Sequence, residues 1–130
     1  MRRILLICSL LVTFIANIHA QYNIERLLEA CETALGYQDY VVAIQYCNNI
    51  ISNRPNLYRA WFYRGVAKQS LGDYQGAAND YDNAIQLNPY VHELFRARAA
   101  NNLSLKQYGA AVKDYTCLLY TSPSPRDRTR

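Results

Sequence analysis

The sequence is poor in the residue patterns that carry catalysis or hold metal ions. It contains only two histidines, His19 and His92, and no CxxC spacing, so the ligand sets typical of zinc sites are missing. Gly-rich phosphate loops, nucleophile elbows and paired histidine–glutamate motifs are missing as well. No segment alternates long enough between polar and apolar residues to predict a strand. These absences predict a chain without catalytic residues, metal or cofactor, and they disfavour an enzyme.

The chain also lacks an excess of charge of one sign once its two ends are set aside. The formal net charge is +4, but residues 21–116 carry nine basic and nine acidic side chains. The excess of arginine therefore lies outside the central region. A neutral central region gives no indication of binding to nucleic acid.

The first twenty residues have the layout of a secretory signal peptide. Arg2 and Arg3 precede an apolar run over residues 4–18, and Ala20 offers a small residue for cleavage before Gln21. A retained membrane anchor needs roughly 20 apolar residues, and this run is shorter. We expect residues 1–20 to be removed. The mature chain would then be exported to the periplasm, the cell envelope or the medium, without a stable membrane span.

The last fourteen residues do not follow the pattern of the central region. The stretch CLLYTSPSPRDRTR, residues 117–130, resembles through Asp127 the in-frame translation of a transposase-type sequencing adapter. The alternative is a genuine Ser/Pro/Arg-rich tail, which is disordered by composition. We expect residues 117–130 to be disordered and the native chain to continue differently after Thr116.

Between the two ends the sequence repeats itself every 34 residues. The repeats run over residues 24–57, 58–91 and 92–116, the third being incomplete. Three positions show the period most clearly: a tyrosine at Tyr40, Tyr74 and Tyr108, an alanine at Ala43, Ala77 and Ala111, and a proline at Pro55 and Pro89. A fixed period of this length is typical of a repeat architecture.

The second repeat carries the fullest motif, with Trp61, Gly65, Leu71-Gly72-Asp73-Tyr74, Tyr81, Ala84 and Pro89. This motif resembles the tetratricopeptide repeat (TPR) family over residues 24–116. The resemblance implies an all-α fold, an antiparallel helix-pair solenoid or TPR superhelix of about 2.7 repeats. We expect helices at about 24–36, 39–53, 58–71, 74–87, 92–105 and 108–116.

Local chemistry agrees with these helices. Small residues at the eighth and twentieth positions of each repeat let the two helices of a pair approach closely. Gly72 can adopt the left-handed conformation that ends a helix, and Asp73 can cap the next one. Pro89 stops the second helix of its repeat.

An arginine and an aspartate occur together in two of the repeats. Arg64 and Arg98 share the seventh position, and Asp80 and Asp114 share the twenty-third, whereas the first repeat has neither residue. This co-occurrence predicts an ion pair, either within a repeat or between Arg98 and Asp80 of neighbouring repeats. The alternative is recent common ancestry of the repeats, without contact.

Cys31 and Cys47 stand at the eighth and twenty-fourth positions of the first repeat, which normally touch across a helix pair. Export would place them where disulfides persist, so a bridge is one interpretation. The other is a pair of small buried hydrophobic residues.

The family resemblance implies a concave groove lined by the first helix of each repeat, which binds a protein or peptide partner. In members of the family, the second, fifth, ninth and twelfth positions of each repeat usually face the partner. In this chain they are Glu25, Leu28, Glu32, Leu35, Arg59, Phe62, Val66, Gln69, Glu93, Arg96, Ala100 and Leu103. Members that bind chaperone tails have Lys, Arg and Asn at set groove positions. Here Leu28, Glu32, Tyr63 and Glu93 stand there instead, which disfavours that ligand.

The sequence therefore predicts a protein–protein interaction scaffold of an exported protein. The alternative is the N-terminal regulatory array of a larger enzyme or sensor whose catalytic domain lies beyond the end of this chain.

Overall fold

The structure, a computed structural model, describes the backbone of residues 2–121 and their side chains except those of residues 2–5, 17, 19, 20, 22 and 121. Within this range the chain forms helices and no strand. The helices are α1 (Arg2–Gly36), α2 (Tyr40–Asn53), α3 (Tyr58–Ser70), α4 (Tyr74–Leu87), α5 (His92–Ser104) and α6 (Tyr108–Thr121). The expected all-α class is confirmed.

The helices pack as three successive antiparallel pairs, α1 with α2, α3 with α4 and α5 with α6. Neighbouring pairs are joined through α2 with α3 and α4 with α5, and the first helices also contact one another, α1 with α3 and α3 with α5. Each pair corresponds to one 34-residue repeat. The predicted helix-pair solenoid is therefore confirmed.

The turn inside each pair has the same backbone geometry in all three repeats. Its central residue, Gln38, Gly72 or Lys106, has a positive φ of 62°, 85° and 59°. Glycine adopts this region without steric cost, as expected for Gly72, whereas the other two side chains do so with some strain. Asp73 caps α4 as expected, since its carboxylate accepts a hydrogen bond of 2.9 Å from the Gly76 backbone N–H.

Two clusters of buried residues fill the first half of the array. One contains Cys31, Ala34, Ala43, Cys47 and Ala67, and the other contains Ile24, Leu28, Ile50 and Ala60. Tyr63 of α3 packs against both clusters. Because each cluster draws residues from α1, α2 and α3, the second repeat is needed to close the core of the first.

Helix α1 begins at Arg2, much earlier than the expected start at residue 24. The apolar leader continues the helix without a break, because no proline or glycine interrupts residues 2–35. Its described side chains between residues 6 and 18 are exposed, for example Leu10 and Phe14. Among the residues the structure describes, no helix has both the length and the apolarity to cross a bilayer. Cleavage before Gln21 stays a prediction.

Helix α6 ends at Thr121 and not near residue 116. Residues 117–121 are therefore helical, and the expectation of disorder is wrong for them. Leucine favours helix, so Leu118 and Leu119 continue α6 past Thr116. The remainder of the expected tail, residues 122–130, lies outside the described residues.

Candidate partner-binding groove

The first helices of the three repeats lie side by side and form one face of the array. A cavity of about 480 Å³ opens on this face between α3 and α5. Six of the twelve groove residues expected from the sequence line it: Phe62, Val66, Gln69, Glu93, Arg96 and Ala100. The structure thus brings together the predicted residues of the second and third repeats.

Five further residues line this cavity and were not expected from the sequence: Ser70, Tyr74, Tyr81, Ala97 and Ser104. Tyr81 is fully buried, and its hydroxyl donates a 2.6 Å hydrogen bond to the side-chain oxygen of Gln69. Burial raises the pKa of Tyr81 well above its ordinary value of 10.0. The motif assigned Tyr81 to the core. Tyr81 follows Ala77 by four residues, so both side chains lie on the face of α4 that is turned toward α3. This spacing could have placed Tyr81 at the floor of the groove.

A polar cluster of three side chains lies between α1 and α3, away from the cavity. Arg59 forms a 2.6 Å ion pair with Glu32 and a 3.2 Å hydrogen bond with the Tyr63 hydroxyl, which itself donates to Glu32. The Tyr63 hydrogen bond, followed by Arg59, lowers the pKa of Glu32. Burial and the same carboxylate raise the pKa of Tyr63. The charges of Glu32 and Arg59 are thus compensated within the protein.

The other charged pair of the groove lies on α5, where Arg96 donates to Glu93 one turn earlier. Both side chains are more than half exposed, so their positions can adjust to a partner at low cost. Glu25 and Leu103 are exposed outside the cavity, whereas Leu35 is half-buried against the core.

Leu28 does not belong to the groove surface. Its side chain is 1% exposed and packs with Ile50 and Ala60, while Tyr63 from the next repeat packs against the same cluster. The prediction that Leu28 faces a partner is therefore wrong. Among the large apolar residues of the predicted groove, Phe62 and Val66 line the cavity.

Arg64 joins three helices on a different side of the array. Its Nε and Nη2 atoms donate to the two carboxylate oxygens of Asp80 at 2.9 and 2.7 Å. Its Nη1 atom donates to Asn48 of the preceding repeat at 2.7 Å. Lys68 adds a second cation 2.9 Å from Asp80. The predicted ion pair within the repeat is confirmed.

Arg98 repeats this arrangement one repeat later. It binds both oxygens of Asp114 at 2.9 and 2.6 Å and reaches Asp82 at 2.6 Å. The Asp114 hydrogen bonds, more than those to Asp82, raise the pKa of Arg98. The contact between neighbouring repeats therefore goes to Asp82 and not to Asp80.

Residues that could hold a metal ion together are not found in the part of the chain that the structure describes. The groove offers hydrogen-bond donors and acceptors beside apolar side chains, a combination found in ligand-binding sites.

The fold and the groove define a class of helical-repeat proteins that present one concave face for recognition. A model of the tetratricopeptide repeat family matches residues 31–102, more than half of the chain. The chain belongs to the tetratricopeptide repeat family.

Two curated relatives contain a similar segment. The mouse FK506-binding protein-like protein is 32% identical over 62 residues, 48% of this chain and 17% of the relative. The rat serine/threonine-protein phosphatase 5 is 28% identical over 90 residues, 69% of this chain and 18% of the relative. The chain thus spans less than a fifth of the length of each.

Among solved structures, the TPR2B domain of yeast Sti1 in complex with pHsp70 is similar in fold. The TM-score is 0.68 at 20% sequence identity, covering 70% of this chain and 73% of the yeast chain.

Proposed function

We propose that the face formed by α1, α3 and α5 binds a peptide segment of a partner protein, with one uncharged side chain of that segment inserted in the cavity between α3 and α5. The observation that carries this proposal is the 480 Å³ cavity beside the half-buried side chains of Phe62 and Val66. Its volume lies within the range of sites that enclose small ligands or side chains.

The charges on the face formed by α1, α3 and α5 favour an uncharged anchor. Glu32 is compensated by Arg59, and Glu93 by Arg96, so an acidic tail finds no cluster of unpaired cations at these positions. Chaperone-binding relatives carry cationic or amide side chains at four set groove positions. Two of these positions hold Glu32 and Glu93 in this chain, so they offer no cation to a terminal carboxylate. The similarity to the yeast Sti1 domain thus supports peptide binding by this face, but it does not support binding of the same peptide.

The test is selection of peptides from a random displayed library on the immobilised full chain, followed by calorimetry on the best binder. Phe62→Ala should weaken its binding at least about tenfold, because an aromatic anchor in a desolvated pocket carries much of the binding energy. Ser104→Arg should have a similar effect, since this exposed position lies at the rim of the cavity. The affinity should change little with salt.

Tyr90→Ala is the matched control, because Tyr90 is a large residue, 88% exposed and outside the groove lining. Circular dichroism should show that every variant keeps its helical content. Binding that survives both Phe62→Ala and Ser104→Arg, or that is lost equally in Tyr90→Ala, would place the partner elsewhere on the array.

Export is a second part of the proposal. The described side chains of the leader between residues 6 and 18 are exposed, and none of them belongs to the two core clusters. A segment of this kind suits removal during secretion better than retention in a folded domain.

One observation favours a larger parent protein. The rat phosphatase shares the similarity over only 18% of its length, so a repeat array of this kind can accompany a catalytic domain. A native coding sequence that continues past Thr116 into further repeats would support a pure scaffold, whereas a catalytic motif there would support a regulatory array.

A further inference from the structure

In the first two repeats the eighth and twenty-fourth positions face each other across the helix pair. In the second repeat they are Gly65 and Tyr81, and a Cβ atom on Gly65 would come within 2.7 Å of the Tyr81 ring. In the first repeat both positions hold cysteine. The first repeat thus has two cysteines of equal size where the second repeat has a glycine facing a large tyrosine.

The two sulfur atoms are in contact. Cys31 Sγ lies 2.8 Å from Cys47 Sγ and 3.6 Å from the carbonyl oxygen of Ala43, to which it donates. Both cysteines are fully buried, and the small residues Ala34 and Ala43 belong to the same cluster. Closing the remaining gap to a bond of about 2.05 Å needs a movement of less than about 1 Å.

We propose that Cys31 and Cys47 form an intramolecular disulfide that covalently joins α1 to α2. A low-molecular-weight disulfide such as oxidised glutathione is the oxidant. The Cys31 thiolate attacks one glutathione sulfur, forms a mixed disulfide and releases one glutathione thiolate. Cys47 then loses its proton, attacks the Cys31 sulfur and releases the second glutathione. The two protein thiols are oxidised by two electrons in total, and one disulfide is reduced to two thiols.

The electrostatics of the pair support this order of attack. The Cys47 thiol donates to the Cys31 sulfur and holds the pKa of Cys31 below its ordinary value of 9.0. The same contact, together with burial, raises the pKa of Cys47. Since the thiolate is the attacking species, Cys31 is the better first nucleophile.

The bond would strengthen one end of the described array. The first repeat is covered by another repeat on one side only, through α2 with α3 and α1 with α3. A cross-link between residues 31 and 47 closes a short loop and restricts the unfolded chain. This role is independent of the peptide-binding proposal.

The test uses the full chain in a Cys8→Ser/Cys117→Ser background, which removes the two exposed thiols. The protein is refolded in glutathione buffers of graded ratio, so that burial of the thiols does not limit access. It is then quenched by alkylation and analysed by mass spectrometry. The oxidised form should be lighter by two hydrogen atoms and should yield a peptide linking residues 31 and 47.

The equilibrium constant for bridge formation is compared between native buffer and concentrated urea. A fold that favours the bond should raise this constant about 100-fold over the unfolded chain. Reduction of the bridged protein should lower its melting temperature by about 10 °C or more. An equal or smaller constant in native buffer would overturn the proposal, because the fold would then hold the sulfurs apart.

The order of attack is tested in the protein that keeps both buried cysteines, because either single variant would remove the contact that shifts both pKa values. In the same background, rapid acid quenching and peptide mapping should find the first mixed disulfide on Cys31 rather than on Cys47. The reverse order would refute the assignment of Cys31 as the nucleophile without affecting the bridge itself.

Discussion

At the scale of single residues, the arginine at the seventh position of the second and third repeats contacts two helices besides its own. Arg64 binds Asp80 in its own repeat and Asn48 in the preceding one, and Arg98 does the same with Asp114 and Asp82. One guanidinium therefore fixes both the helix pair and the stacking of neighbouring pairs. The planar fork of arginine allows this, whereas lysine could not bind both oxygens in the same way.

Asp80 and Asp82 of α4 offer a matched comparison of these contacts. Asp80 is 2% exposed and is paired with Arg64 and Lys68, whereas Asp82 is 61% exposed and reaches Arg98 from the surface. Asp80→Asn should lower the free energy of unfolding by about 3 kcal/mol, since it removes the buried counter-charge of the half-buried cations Arg64 and Lys68. Asp82→Asn should lower the free energy of unfolding by less than about 1 kcal/mol. Urea denaturation measures both, and equal costs would show that burial does not decide the strength of these pairs.

Residue patterns predicted contacts within a repeat better than contacts between repeats. The joint occurrence of Arg64 and Asp80 indicated their ion pair, because the two residues lie on the two helices of one repeat. The partner of Arg98 in the preceding repeat was missed, and so was the burial of Leu28 under Tyr63. Both depend on how one repeat is rotated against the next, which packing across the interface decides and a single repeat does not encode.

At the scale of helices, the sequence predicted the bounds of α2 to α5 within one residue. The turn glycine Gly72, the cap Asp73 and the stop at Pro89 are local signals, and local signals determine helix ends. The outer ends of α1 and α6 were missed because no such signal stands at residue 24 or residue 116. There the helix runs on through residues of good helix propensity.

The closeness of α3 and α4 depends on Gly65. An alanine there would place its Cβ atom 2.7 Å from Cε1 of Tyr81, a ring that is fully buried and bonded to Gln69. Gly65→Ala should therefore destabilise the protein by about 1–2 kcal/mol, because overpacking outweighs the gain of roughly 1 kcal/mol in helix propensity. Thermal and urea unfolding measure the change.

Gly109→Ala is the control for this prediction. Gly109 also lies in a helix, but nothing stands within 4 Å of its added Cβ atom. The substitution should be neutral or stabilising by up to about 1 kcal/mol. If both variants shifted stability in the same direction, backbone propensity and not the Tyr81 contact would govern Gly65.

At the scale of the whole molecule, the described chain divides into a leader and a packed array. The first buried side chain among the described residues is Ile24, and from there each helix pair covers part of the next. In a linear array of this kind, stability is roughly a sum of repeat and interface contributions. A segment that packs against no repeat should therefore contribute little to the free energy of unfolding.

A chain that begins at Gln21 should therefore unfold at the same urea concentration as the full chain, within experimental error. A chain that begins at Glu29 should be much less stable, because it lacks both Ile24 and Leu28 of the core. The signal-peptide proposal adds that, in a secreting host, the exported fraction should carry Gln21 as its N-terminus by mass spectrometry. Loss of stability on removing residues 1–20 would make the leader part of the fold, and an intact N-terminus in the exported fraction would make it an anchor.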